Sequence, residues 1–427
     1  MLTVQVGQCG NQLGRALFAK LAAETESTDS DSLCGSLGFF RSPSDGRDGG
    51  GAARRARAVL IDMEPKVVQQ CMQPQGGWVY DPRNTLTQQS GSGNNWAYGY
   101  AVHGAQAESA LLDLIQAVGC QHLCLPPIDR QIVFSRMTVK KLMKQSAAGG
   151  TGSGLGSFLA ETLADHFPTC DRLNAVVWPY QSGEVIVQNY NAVLTTASLV
   201  DSAHGVLVLH NDVATAACQR LLRIAHPSFE ELNQVLATHL AAALLPVDRT
   251  ASRRQTDPFS EICRQLCSHP AFKLLDIKTV PLMPHRSKKF TTHTWPGLLK
   301  YLHQMQVANE PLEEGIDWTI SLDNEQGRRW NRAVGSVVIV RGTGAIDADV
   351  TAFRDPRIHF NSYDKSATII SNSKASVATL AATVDKAYQM FVHGAYLHQY
   401  ERYQVDREFF QQAFMRVDQV VQSYNSL

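Results

Sequence analysis

One run of eleven residues limits what this chain can be: Ser146-Ala147-Ala148-Gly149-Gly150-Thr151-Gly152-Ser153-Gly154-Leu155-Gly156. Glycine fills four of the six positions from Gly149 to Gly154, with Thr151 and Ser153 between them. The residues that follow, Ser157-Phe158-Leu159-Ala160-Glu161-Thr162-Leu163, carry apolar side chains at helical spacing. A glycine loop that opens a helix lets main-chain N–H groups converge on an anion, and the helix N-terminus adds partial positive charge. A Cβ here would block close approach or forbid positive φ. Thr151 and Ser153 add hydroxyl donors. Ser146, Ala148, Gly149, Gly150, Thr151, Gly152, Ser153 and Gly154 are therefore candidate phosphate ligands. Two common phosphate motifs are excluded. No Lys-Ser/Thr pair follows the loop, and the glycine spacing never makes G-x-G-x-x-G.

Gly149-Gly150-Thr151-Gly152-Ser153-Gly154 resembles the signature of the tubulin family. Supporting blocks are Gly91-Ser92-Gly93-Asn94-Asn95-Trp96-Ala97-Tyr98-Gly99-Tyr100, Val187-Gln188-Asn189-Tyr190-Asn191 and Val420-Val421-Gln422-Ser423-Tyr424-Asn425-Ser426-Leu427. The resemblance covers nearly the whole chain and leans toward the family members of centrioles and basal bodies. It implies an α/β fold: a doubly wound nucleotide-binding domain of the tubulin/FtsZ type over residues 1–213, a central helix with a smaller α/β domain over 214–375, and a C-terminal helical hairpin over 376–427. That hairpin argues against a bacterial-type filament GTPase.

Bulk properties agree with an intracellular chain of about three domain-sized units. Lys+Arg and Asp+Glu number 39 each, so net charge points to neither nucleic acid nor membrane. No apolar run approaches the ~20 residues of a membrane span, and Gln5, Gln8, Asn11 and Gln12 break up any signal-peptide pattern. Nine scattered cysteines, an odd number, fit reduced cytosolic thiols rather than a disulfide framework. Two groups imitate metal sites, Cys120/His122/Cys124 and Cys263/Cys267/His269, but neither has a second C-x-x-C arm.

In chain order, residues 2–6 alternate like a half-buried strand and lead through Gly7-Gln8-Cys9-Gly10 into a helix to about residue 23. Residues 24–57, rich in Ser, Asp, Gly and Arg, read as loop, with Arg54, Arg55 and Arg57 on a solvated face. Ala58-Val59-Leu60-Ile61-Asp62 reads as a buried strand. Asp62 and Glu64 at its carboxyl end would repel a triphosphate unless Mg²⁺ lay between. Residues 108–117 read as an amphipathic helix, and 205–209 as a strand buried on both faces. Ser228 is an N-cap for a long helix through residue 245. Residues 378–403 and 407–424 read as two helices.

The resemblance assigns roles by position. Gln8, Cys9 and Gln12 match nucleotide contacts of the first loop. Gly93 and Asn94 match a γ-phosphate loop, and Asp62 and Glu64 the acids facing that phosphate and its magnesium. Glu184 matches the ribose acceptor, although Gln188-Asn189 replace the usual Glu-Pro. Asn211 and Asn233 match the residues that read guanine, and Phe229 the aromatic that stacks on it. Glu261 matches the acid that polarises water on the nucleotide of the longitudinal neighbour. The implied ligands are GTP or GDP with Mg²⁺. The implied partners are other tubulins, of epsilon, alpha or beta type, and centriolar proteins. The implied location is the cytoplasmic cytoskeleton at centrosome, centriole and basal body. Residues 118–145 depart most from the family pattern, and Lys144 in a central strand there calls for a charge partner. Residues 317–332 and 357–363 are short against it. The chain reads Asn425-Ser426-Leu427 where other members carry an acidic tail, so tail-directed modification is not expected.

Overall fold

A computed structural model describes residues 1–26, 38–41, 53–74, 76–119, 140–183, 185–248, 255–256, 258–288, 290–320, 330–345, 353–355 and 359–427. Its main sheet is built from β1 (Leu2–Val6), β2 (Ala58–Asp62), β3 (Thr85–Thr87), β4 (Lys141–Ser146), β5 (Arg172–Trp178), β6 (Gly205–His210), β7 (Leu274–Val280), β8 (Ala333–Gly342), β9 (Phe353–Asp355) and β10 (Lys365–Ser373). Their spatial order is β3-β2-β1-β4-β5-β6-β7-β10-β8-β9. Strands β1 to β6 pair in parallel throughout. The order 3-2-1-4-5-6 is that of a doubly wound nucleotide-binding sheet. β7 joins β6 in parallel at Leu274 and Leu275, then runs antiparallel to β10, which also pairs antiparallel with β8.

Helices cover both faces. α1 (Gly7–Glu26), α5 (Phe229–Leu244) and α6 (Pro258–Leu266) supply Leu13, Phe18, Leu236, Leu240 and Phe259 to one core. α2 (Ala105–Gly119), α3 (Gly156–His166), α4 (Gln188–Ser202), α8 (Val377–Val392) and α9 (Arg407–Asn425) supply Leu111, Leu159, Tyr190, Leu380 and Phe410 to the other. Each large apolar side chain buried this way contributes about 1.5–3 kcal/mol. α7 (Trp295–Val307) closes a third, smaller core over β7, β8 and β10. Among the described residues no helix is long and apolar enough to cross a membrane.

Two-sided cover explains the first departure from the sequence reading. β1 is not half-buried: Thr3 and Gln5 are as buried as Leu2, Val4 and Val6. They are tolerated because they are bonded, Gln5 to the Tyr80 hydroxyl at 3.2 Å and Thr3 Oγ1 to Arg57 O at 3.4 Å. α1 also runs on to Glu26, and Glu24 pairs with Lys20 at 2.7 Å across one turn. Part of the expected loop is strand: Arg54–Ala56 pairs with Phe40–Arg41 and Trp78–Val79 in a small second sheet. There Arg55 meets Asp81 at 3.4 Å, and the Arg54 guanidinium lies over the Phe40 ring. Near the C-terminus the helix expected over 378–403 stops at Val392. Gly394 takes φ +66° and Ala395 N–H donates to Met390 O, a left-handed stop after which the chain makes a short turn of helix at His398–Glu401.

The divergent segment keeps the strand that leads into the glycine loop. β4 sits between β1 and β5, but among the described residues its Lys144 finds no charge partner. The fully buried ammonium has no hydrogen bond among the described residues and lies 5.5 Å from the centroid of the Phe18 ring. Burial alone lowers its pKa from 10.5 to about 7, so it sheds its charge rather than pairing it.

Candidate functional site

The carboxyl ends of β1, β2, β4, β5 and β6 border one cleft of about 420 Å³. Such a cleft at strand ends is where open α/β sheets bind ligands. After β1 come Gln8, Cys9 and Gln12; after β2, Asp62 and Glu64; after β4, Ser146, Ala148, Gly149, Gly150, Thr151 and Gly152; after β6, Asn211. Gly93 and Asn94 border it from the loop before α2, and Phe229 and Asn233 from the first turns of α5.

Ladder bonds end where the glycine loop begins. Ala147 N–H donates to Val177 O at 3.1 Å, and Ser146 Oγ then accepts from Ala148 N–H at 3.1 Å. The chain turns into a wide helical turn, Thr151–Leu155, that continues as α3. Gly7, the first residue of α1, takes φ +72°, and a Cβ on it would lie 2.8 Å from Gly152 N. Only glycine lets the start of α1 pack against the loop, so two helix N-termini meet at the cleft. The neighbouring loop takes the left-handed region twice running, at Gly93 (φ +55°) and Asn94 (φ 55°). It is tied to the glycine loop by Ser92 Oγ, 3.0 Å from Thr151 Oγ1. Ser153 and Gly154 do not border the cleft. Ser153 is buried with its hydroxyl on Gly149 O, and Gly154 N–H donates to Gly150 O at 2.8 Å. Both shape the loop from behind.

The carboxylates differ. Glu64 is exposed, whereas Asp62 is 4% exposed, its Oδ2 without a hydrogen bond among the described residues. Burial pushes the Asp62 carboxyl up to about 6, against an opposing N–H donation from Glu64. An orphaned buried carboxylate oxygen beside an anion loop fits a cation. Among the described residues no group of three or more His, Cys, Asp or Glu could hold a metal unaided. Two carboxylates with the remaining positions left to phosphate and water suit Mg²⁺.

At the opposite end Phe229 is 53% exposed, offering a ring on which a planar base can stack. Asn211 and Asn233 there offer a donor and an acceptor each. Cys9 is a neutral thiol at ordinary pH, since burial pushes it up to about 12. Glu184 lies outside the described residues. In its neighbourhood Gln188 borders the cleft and donates to Tyr180 O at 2.9 Å, and the Tyr180 hydroxyl lies 3.0 Å from Thr215 Oγ1. Tyr180 and Ser92 were not singled out from sequence. Tyr180 stands two residues past the end of β5, a position the strand-end rule points to.

Glu261 is not at this cleft. It lies on α6, where its carboxylate accepts from Arg264 Nη2 at 2.6 Å and Gln265 Nε2 at 2.7 Å. Of the two metal-like groups, Cys120, His122 and Cys124 lie outside the described residues. Cys263, Cys267 and His269 form no metal-binding cluster, and burial raises both thiols.

The chain is similar to known proteins along its whole length. The profile of the Tubulin/FtsZ family GTPase domain matches residues 1–219. The chain is 36% identical to the tubulin delta chain of Macaca fascicularis and 35% identical to that of Homo sapiens, over the full length of both chains in each case. It is 34% identical to the tubulin delta chain of Mus musculus, over 100% of this chain and 99% of that one.

Proposed function

The chain belongs to the Tubulin/FtsZ family, and from that premise we propose that it is a magnesium-dependent GTP-binding subunit that works at centrioles and basal bodies. Membership itself makes it a tubulin-like, GTP-binding cytoskeletal protein. The finer reading is that it supports triplet microtubules and cilia rather than bulk polymer. Its partners would be other tubulins, of epsilon, alpha or beta type, together with centriolar proteins.

The observation that carries the nucleotide reading is one cleft bordered by a glycine loop, a buried carboxylate whose Oδ2 has no hydrogen bond among the described residues, a half-exposed aromatic and two asparagines. The main chain from Ala148 to Gly152 would hold the phosphates, Asp62 and Glu64 the magnesium, and Phe229, Asn211 and Asn233 the guanine. Mg²⁺, when bound, would neutralise charge on the phosphates. Glu261 would act on the cleft of an adjoining subunit, orienting water there. Native mass spectrometry of the purified protein tests the reading: a co-purifying guanine nucleotide supports it, and correctly folded protein with no affinity for GTP and Mg²⁺ ends it.

A second reading is a subunit that holds GTP as a folding ligand without hydrolysing it. It is favoured by the two hydrogen bonds that already occupy the Glu261 carboxylate. Glu261→Ala separates the two. Lost turnover in assembled material supports hydrolysis in trans, and unchanged turnover supports the structural role.

A further inference from the structure

Asn191, on α4, does not border the cleft, yet its side chain bonds both phosphate-side loops. It is fully buried. Its Nδ2 donates to Ala148 O at 2.7 Å and to Asn94 O at 2.8 Å. Its Oδ1 accepts from Trp96 N–H at 3.2 Å and from the Tyr400 hydroxyl at 2.7 Å. A carboxamide has two donors and two lone pairs, so this one is saturated. Three of the four bonds end on the glycine loop or the loop at residues 91–96. The fourth ends on the short helical turn His398–Glu401, between α8 and α9. Two further bonds join the same regions. Asn95 Nδ2 donates to Gln399 O at 2.9 Å, and the Tyr190 hydroxyl donates to Ala395 O at 3.0 Å.

These bonds orient peptide planes. In a trans peptide the C=O and the following N–H point in opposite directions. With Ala148 C=O held by Asn191, the N–H of Gly149 faces away from Asn191, and Gly149 borders the cleft while Asn191 does not. The second loop is held on the carboxylate side, where a Cβ on Gly91 would lie 2.2 Å from Glu64 Oε1. No bond from Asn191 reaches Asn211, Phe229 or Asn233.

We propose that Asn191 and Tyr400 are positioning residues for the γ-phosphate. Together they fix the spacing of the two loops, and through Tyr400 the segment at residues 395–400 sets how strongly the site prefers GTP to GDP. The proposal rests on the GTP reading above. A diphosphate lacks the group that the two loops face together, so loosening them weakens GTP more than GDP. General damage to the fold would weaken both alike.

The test measures affinities for GTP and for GDP, each with Mg²⁺, by equilibrium dialysis on the full-length protein. Tyr400→Phe keeps the ring and removes one hydroxyl. It should lower GTP affinity about 3- to 10-fold, the range for one buried hydrogen bond, with GDP affinity changed less than about twofold. Asn191→Asp removes both donations and should lower GTP affinity by more than about 30-fold, again with a smaller effect on GDP. Phe229→Ala, at the base end, should lower both affinities alike. Equal losses for the two nucleotides in the Tyr400 and Asn191 variants, or no loss in either, overturn the proposal. If Asn191→Asp does not fold, Tyr400→Phe decides alone. Wild-type protein that binds neither nucleotide refutes the GTP reading itself. Wild-type protein that binds GTP, with variants of unchanged preference, refutes only this inference.

Discussion

Replacing Lys144 by methionine is expected to stabilise the protein, and the gain should depend on pH. The lysine is fully buried in β4, and among the described residues its ammonium has no hydrogen bond and no opposite charge beside it. Its pKa falls from 10.5 to about 7. That difference corresponds to about 5 kcal/mol at 1.36 kcal/mol per pH unit. The Phe18 ring, 5.5 Å away, returns about 1 kcal/mol while the charge persists. Methionine has similar length and no charge to desolvate, so the net gain near neutrality is about 4 kcal/mol. At ~2.1 cal/mol/K per residue, unfolding 427 residues releases about 0.9 kcal/mol/K, so Tm should rise by about 4 °C. The sign follows from proton counting. Between about pH 7 and 10.5 the unfolded lysine holds its proton and the folded one does not, so wild-type stability rises with pH across that window. The penalty is complete below 7 and gone above 10.5. Thermal melts of wild type and Lys144→Met at pH 6.5 and pH 10 read this directly. The gain should be full at the lower pH and about 1 °C at the higher one. A variant that melts no higher than wild type at pH 6.5, or gains as much at pH 10, would refute the argument.

Three other outcomes are expected. Gly152→Val should abolish GTP retention on a filter, because a Cβ there would sit 3.2 Å from Ser146 N and 3.4 Å from Val6 O, leaving no room for a branched side chain; full retention would remove this loop from the phosphate site. The Asp62 carboxyl titrates at about 6 and must be ionised to hold a cation. The magnesium-dependent part of GTP affinity should therefore fall about tenfold per pH unit below 6 in wild type, and Asp62→Asn should lose that pH dependence. Arg341→Leu should lower stability by about 3–5 kcal/mol, measured by denaturant unfolding, because it leaves the carbonyls at the end of α5 without donors. In the folded protein Arg341 is fully buried and donates to Ala242 O at 2.7 Å and Leu245 O at 2.6 Å. A neutral result would mean that water satisfies those carbonyls.

What the sequence made legible is local. The glycine loop, the strand ending in Asp62 and the helix opening at Ser228 each place their residues within a few positions of a signal that any reader of the chain can find. Ser228 shows why: Glu231, three residues on, accepts from both its N–H and its hydroxyl, so the helix start is written in four consecutive residues. Strand burial was less legible. Alternation in β1 implied one solvated face, but the same pattern is compatible with two buried faces when Thr3 and Gln5 have partners at residues 57 and 80. The break after Val392 was missed for a related reason, since Gly394 inside an apolar helical pattern reads as a tolerated glycine until its φ is known.

What the sequence could not show is how distant residues hold the local signals in place. Asn191 is one of several asparagines, and nothing near it marks it as the bridge to Tyr400, 209 positions away. Two of the buried cations make the same point with opposite signs. Lys144 and Arg341 both lie in strands of apolar neighbours, and a pattern reading treats both as faults. Arg341 is matched by carbonyls about 95 residues earlier in the chain, at the end of α5, whereas among the described residues Lys144 is matched only by a ring face. Whether a buried charge stabilises or strains a fold depends on where its partners come from. Pattern and propensity fix where the phosphate loops begin, and long-range polar pairs fix how far apart they stand. A substitution in the glycine loop should therefore remove nucleotide binding outright, while one at Asn191 or Tyr400 should change which nucleotide is preferred.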